Sequence, residues 1–177
     1  MARSKAFLFK GVEVRWKCDP SLLTGDDKTP AEETLKFPNG LEDFLKYQLR
    51  DEPVVTPKPF AGRSELPDGK GFVEWAMTWL EDGEAGFISS FCNTIRTPQG
   101  GTHEAGVRSA LTRSLRGYAE MLGNKKTADI TTEDVIGSAG IVLSLFMKDP
   151  QFQGQTKEKL GSPEATRLVD TAIKDQF

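Results

Sequence analysis

Residues 140–147 read GIVLSLFM, a run in which Ser144 is the one polar side chain. An apolar stretch of this length is expected of a central strand, covered by other parts of the chain. The segments around it supply what such a strand needs. In GFVEWAMTWL (71–80), Val73, Trp75, Met77 and Trp79 alternate onto one face, which is a strand pattern. AGFISSFCNTI (85–95) reads as a second strand, with Asp82-Gly83 in EDGE (81–84) as a hairpin turn between the two.

TPQGGTHEAGVR (97–108) is a loop opening a helix, in which Val107, Ala110, Leu111, Leu115, Tyr118 and Leu122 recur at spacings of three and four. Gly123-Asn124 ends it. Thr131 or Thr132 caps a shorter helix through Glu133, Asp134, Val135 and Ile136. After the apolar strand comes a loop, QFQGQTKEKLG (151–161). Ser162 as N-cap and Pro163 at the first helical position then start a last helix, with Ala165, Leu168, Val169, Ala172 and Ile173 as its apolar face. That pattern is still running near Phe177, so the sequence looks cut there. From residue 71 the order β, β, α, α, β, loop, α predicts an α+β sandwich with helices on one face of a sheet.

The first 70 residues are more broken. AFLFKGVEVRW (6–16) is apolar and then alternating, which predicts a strand. Residues 19–34 are rich in Asp, Pro, Gly and Thr and read as a loop. Leu41, Phe44, Leu45 and Leu49 follow a helical period. The stretch 51–70 carries four prolines and predicts a connector or irregular edge, with a boundary near it.

Composition narrows the classes. A chain of 177 residues can bury a real core as one medium domain or one and a half. A net charge of -3 argues against a surface that coats nucleic acid throughout, and leaves room for a local basic face. Cys18 and Cys92 form no CxxC and His103 is the sole histidine, so the four ligands of a closed zinc site are not supplied. Nothing demands a disulfide, and the reducing cytoplasm is the simpler setting. No apolar run reaches the ~18 residues of a membrane span. The N-terminal MARSKAFLFKGVEV lacks the h-region and cleavage site of a signal peptide.

Three segments carry chemistry, each with a plainer alternative. In GQTK (154–157), Gly154 lets the backbone come close to a ligand, Gln155 offers an amide donor and Lys157 a point charge, a set suited to phosphate oxygens. The same residues also describe a solvated turn, and this is not a P-loop. GGTH (100–103) makes either an anion-binding helix start or merely a sharp reversal, and His103 is either a base or structural. Between Glu104 and Glu120, Arg108, Arg113 and Arg116 stand with no acidic residue. That is a DNA-facing surface through phosphate contacts, or arginine stems covering apolar surface. There is no HExxH, no G-x-S-x-G and no recognisable carboxylate pair, so residue chemistry alone completes no catalytic set.

In order, SFCNTIRTPQGGTHEAGVRSALTRSL (90–115) and TEDVIGSAGIVLSLFMKDPQFQGQTKEKLGSPEA (132–165) resemble the ATPase region of bacterial type II DNA topoisomerase B subunits. Phe91, Asn93, Ile95, Thr97, Gly100 to His103, Gly106, Arg108 and Ala110 to Arg113 fit the first motif. Asp149, Pro150, Phe152, Gln155 to Lys157, Lys159 and Leu160 fit the second. Val135 to Ala139 replace the Arg-Glu-Gly-Leu usual in gyrase B subunits, so the chain is most similar to topoisomerase IV B subunits (ParE). A gyrase B fragment with the same mechanism is the alternative, and a standalone DNA-binding module is the rival of another class.

The resemblance implies an α+β fold in two pieces. Residues 1–50 would close a GHKL ATPase domain, 51–70 connect, and 71–177 form a transducer domain with a ribosomal-protein-like βαβ sandwich. It implies that Gln155 and Lys157 reach the γ-phosphate of ATP, with Lys157 as the catalytic residue, and that Arg108, Arg113 and Arg116 face transported DNA. It implies ATP and Mg2+ as cofactors of a parent ATP-hydrolysing topoisomerase, and no metal site of the chain's own. Its partners would be DNA, the topoisomerase IV A subunit (ParC) and another copy of the B subunit, paired as a homodimer through the ATPase region. The motifs for adenine, magnesium and the catalytic carboxylate are missing, and so is the TOPRIM domain. The span alone is therefore expected to bind nucleotide weakly and to be inactive.

Overall fold

A computed structural model describes residues 2–25, 29–81, 85–124 and 126–177. The apolar run forms β7 (Ala139–Met147), and it is the middle strand of a five-stranded mixed sheet. The other strands are β3 (Phe60–Glu65), β4 (Gly71–Trp79), β5 (Phe87–Cys92) and β6 (Ile95–Arg96), in the order β3-β4-β7-β5-β6. β7 runs antiparallel to β4, with Trp75 opposite Leu143, and parallel to β5, with Ser90 opposite Leu143.

A parallel neighbour needs a crossover. Helix α3 (Thr102–Met121) and the short α4 (Thr132–Ile136) provide it between β5 and β7. This is the βαβ unit that the family resemblance implies. The capping box at Thr131, whose hydroxyl accepts from Asp134 N at 3.1 Å, starts α4 as expected. Helix α5 (Pro163–Lys174) lies beside α3.

The two faces of the sheet are covered differently. Val73, Trp75 and Met77 of β4 with Ile141, Leu143 and Leu145 of β7 form one core with Val107, Ala110 and Leu111 of α3 and Val169 and Ile173 of α5. On the other face Ala76, Phe91 and Val142 meet Phe7, Leu8, Leu41, Phe44 and Leu45. Those residues come from α1 (Ala2–Leu8) and α2 (Leu41–Leu49). Phe7 stacks on Phe37 and Phe44, with ring centroids 3.6 and 4.7 Å apart. The helices that follow residue 71 thus share one face, as predicted, while the N-terminal helices close the other.

Several expectations are corrected. Residues 6–8 belong to helix α1, and only Glu13–Lys17 form a strand, β1, paired antiparallel with β2 (Glu32–Lys36). Three consecutive apolar residues fit either period, and burial beneath α2 decides for helix. β4 and β5 are not hairpin partners, because β7 lies between them; Asp82-Gly83 falls outside the described residues. The stretch read as one strand over 85–95 folds back at Asn93-Thr94, so that Cys92 opposes Ile95. Both turn residues have positive φ, 47° and 67°, as a two-residue turn between twisted strands requires. The Asn93 side chain holds the turn by donating to Met147 O and accepting from Met147 N.

The stretch 51–70, read as a connector or an irregular edge, does supply an edge of the sheet, and that edge is regular. The second half of the stretch is β3, an edge strand lying between Pro59 and Pro67. Ser162 does stand at the start of α5, but its hydroxyl accepts from Gln151 N at 2.8 Å instead of capping its own helix. No described helix is long and apolar enough to cross a membrane.

Candidate functional site

The QTK segment is a hairpin. β8 (Phe152–Gln153) pairs antiparallel with β9 (Lys159–Leu160), and residues 154–158 form the tip. Gly154 and Lys157 both take positive φ, 75° and 58°. For Gly154 that conformation is free of steric cost; for Lys157 it is one L side chains rarely adopt. Gln155 and Lys157 are exposed. Among the described contacts, Lys157 Nζ has no carboxylate partner and sits 5.9 Å from the centre of the Phe152 ring.

The hairpin is anchored at its base and along one side. Gly161 N donates to Gln151 O at 2.7 Å, and the Ser162 hydroxyl takes Gln151 N, so the base joins the start of α5. Along the side, β9 runs against the loop that precedes α3. Leu160 N donates to Gly100 O at 3.0 Å, and Gly101 forms a parallel bridge with Leu160. Gln99 donates twice to Glu158: its N–H to the carbonyl at 3.0 Å and its side-chain amide to the carboxylate at 2.7 Å.

The two motifs are therefore one site, although the contacting residues Gln99 and Glu158 lie 59 positions apart in sequence. Glycine is required where they touch. A Cβ on Gly101, at φ 137°, would lie 2.2 Å from Leu160 O and 2.6 Å from Leu160 N.

Beneath this contact lies a closed polar cluster. His103 is fully buried, and its Nε2 is 3.0 Å from the Thr97 hydroxyl. That hydroxyl is 2.7 Å from the Ser90 hydroxyl, which donates to Glu104 Oε1 at 2.6 Å. Burial pushes the His103 imidazole down to about 4. Burial also holds the Glu104 carboxyl above its ordinary range, against the opposing pull of the Ser90 hydrogen bond and Arg108. A neutral ring sealed from solvent cannot reach a substrate. His103 is a structural histidine, and the GGTH turn is a reversal that grips the hairpin.

The three arginines of α3 have different neighbours. Arg113 pairs with Asp170 of α5. The Arg116 guanidinium donates to Ile130 O, Nε at 2.7 Å, on the loop before α4. Arg108 is half-buried one turn from Glu104. Among the described residues no group of three or more His, Cys, Asp or Glu is placed to hold a metal ion. Gln99, Glu158, Ser90 and Thr97 are not singled out by sequence chemistry. The segment TPQGGTH contains two of them, but only the pairing with β9 gives Gln99 a role.

A βαβ-centred α+β domain with an exposed Gln-x-Lys hairpin clamped to a glycine turn defines the class. A family model described as DNA gyrase B matches residues 40–177, and the chain belongs to the DNA gyrase B family. It is 52% identical over 180 aligned positions to the B subunit of DNA topoisomerase 4 from Caulobacter vibrioides, covering 100% of this chain and 26% of that protein. The chain thus spans about a quarter of the length of that relative. Among solved structures, it is similar to the 43K ATPase domain of Thermus thermophilus gyrase B in complex with an aminocoumarin. There the TM-score is 0.77 and the identity 28%, over 98% of this chain and 44% of that one. It is also similar to the topoisomerase IV ATP-binding domain of Francisella tularensis in complex with a small-molecule inhibitor. That match has a TM-score of 0.75 and 29% identity, over 98% of this chain and 44% of the other.

Proposed function

We propose that this chain is the transducer-bearing span of a topoisomerase IV B subunit, part of an ATP-hydrolysing type II DNA topoisomerase. In that reading residues 1–50 close the ATPase domain, 51–70 lead out of it, and 71–177 are the transducer. The topoisomerase IV A subunit, DNA and another copy of the B subunit are its partners. The observation that carries the reading is the hairpin itself. It presents Gln155 and Lys157 to solvent from a base tied to both α3 and α5.

The donor set fits a terminal phosphate. Phosphoryl transfer is governed by positioning and charge stabilisation. The ammonium of Lys157 supplies charge, and the amide of Gln155 supplies a directed hydrogen bond. ATP, when bound, supplies the γ-phosphoryl group that both side chains meet. Mg2+ would be held by the phosphates and by residues of the remaining ATPase domain. A contact made with the γ-phosphate and lost after its departure is differential binding, which is what a conformational switch requires. The hairpin base passes that difference to α3 and α5. Arg108, Arg113 and Arg116 are proposed to face DNA, with Arg113 and Arg116 sharing their guanidinium groups with Asp170 and Ile130 O.

Lys157→Ala in the full-length protein should lower ATP turnover by about 100-fold or more, the scale on which loss of one preorganised charge donor at a reacting centre acts. The check is steady-state ATP hydrolysis with the A subunit and DNA present. Near-normal turnover would rule the reading out.

A further inference from the structure

Lys157 is followed directly by a carboxylate, Glu158. A free carboxylate beside an exposed ammonium is its nearest competitor for phosphate, since it can pair with the charge the phosphate needs. The structure holds the two apart. The Glu158 carboxylate is turned to the Gln99 amide at 2.7 Å, and the Glu158 carbonyl is taken by Gln99 N at 3.0 Å. The Lys157 side chain is left over the Phe152 ring. Gln99 is itself fixed, because the next residues, Gly100 and Gly101, are bonded to Leu160 of β9.

We propose that Gln99 is a positioning residue for the phosphate-facing lysine: by donating twice to Glu158 it parks that carboxylate away from Lys157 and fixes the backbone on the lysine's C-terminal side. This deepens the functional reading above and rests on it. Gln99 touches no substrate and acts through Glu158. An amide is suited to the task. It donates to the carboxylate without adding a charge that would compete with Lys157 for phosphate.

The test uses the full-length protein assembled with its A subunit and DNA, measuring kcat and KM for ATP hydrolysis. Gln99→Leu removes the side-chain donor and releases the Glu158 carboxylate. It should raise KM and lower kcat/KM by roughly threefold to fivefold, the range a partly exposed charge pair carries. Adding Glu158→Gln to that variant removes the competing charge without restoring the tether, and should return kcat/KM to near the parent value.

Gln99 is exposed, so the variant is expected to fold, and its thermal unfolding serves as the control. Unchanged kinetics in Gln99→Leu, or a loss that Glu158→Gln does not relieve, would overturn the proposal. The Lys157→Ala variant separates the two levels. If it is impaired while Gln99→Leu is normal, only the role of Gln99 fails. If Lys157→Ala turns over normally, the phosphate reading fails and Gln99 has nothing to position.

Discussion

His103 is the residue where burial and charge conflict most directly. Its ring is sealed beneath the glycine turn, Nε2 meets the Thr97 hydroxyl, and Nδ1 has no partner among the described residues. Charging it there would leave an imidazolium without a counter-ion at hydrogen-bond distance, which is why burial lowers its pKa from 6.5 to about 4. Well above pH 6.5 the ring is neutral whether the chain is folded or not, and its protonation leaves stability unchanged there. Between pH 6.5 and about 4 the unfolded chain takes up a proton that the folded chain refuses. Folding stability therefore falls across that window, by up to about 3 kcal/mol from this group, and levels off below it. Glu104 works the other way. Its raised carboxyl favours the folded state at low pH, and that contribution is lost as pH rises. Comparing the chain with its His103→Gln variant isolates the histidine. The stability difference from urea titrations should shrink as pH drops from about 7 to about 4. A difference independent of pH would show that the ring is not neutral by burial.

At the level of elements, α3 and α5 meet with almost no space at Gly106. A Cβ there would lie 2.5 Å from Thr166 O and 2.9 Å from Val169 Cβ. The helices are also tied by Thr166 Oγ1 donating to Thr102 O at 2.9 Å and by the Arg113–Asp170 pair. Two effects oppose each other in Gly106→Ala. Alanine gains up to about 1 kcal/mol of helix propensity. Overpacking typically costs about 1–3 kcal/mol, and a carbonyl oxygen of the backbone cannot rotate aside. The variant should be destabilised by about 1–2 kcal/mol in chemical unfolding. Gly117→Ala on the same helix meets nothing within 4 Å and should be neutral or stabilising. Elements of this kind are the legible part of the sequence. α3, α5 and β7 carry long periodic or unbroken apolar patterns, and local chemistry alone specifies them. α1 and β3 escape such reading because their apolar runs are short and lie among prolines or charges. The place of β7 between β4 and β5 is not legible either, because strand order depends on residues 50 or more positions apart. For the same reason Gln155 and Lys157 stand out from their motif, while Gln99 needs the neighbouring strand.

Over the whole molecule, the question is whether the two cores are two folding units. They lie on opposite faces of one sheet and share its strands. β4 gives Trp75 to one core and Ala76 to the other, β5 gives Cys92 and Phe91, and β7 gives Leu143 and Val142. The division near residues 51–70 is thus one of proposed role and not of separate cores. A piece comprising residues 55–177 would keep the α3–α5 core but lose α1 and α2 from the other face. Uncovering Phe91 and Val142 alone gives up about 1.5–3 kcal/mol each. That is a large share of the roughly 5–15 kcal/mol by which a domain is stable. The full chain should therefore unfold in one cooperative step, with tryptophan fluorescence and far-ultraviolet circular dichroism giving the same midpoint in urea. The 55–177 piece should be markedly less stable or should self-associate through the bared sheet face. Two separate transitions, with Trp75 in the later one and the shorter piece as stable as the whole, would mean that α1 and α2 are only docked. In that case the hairpin side of the sheet would be mechanically independent of the face that α1 and α2 cover.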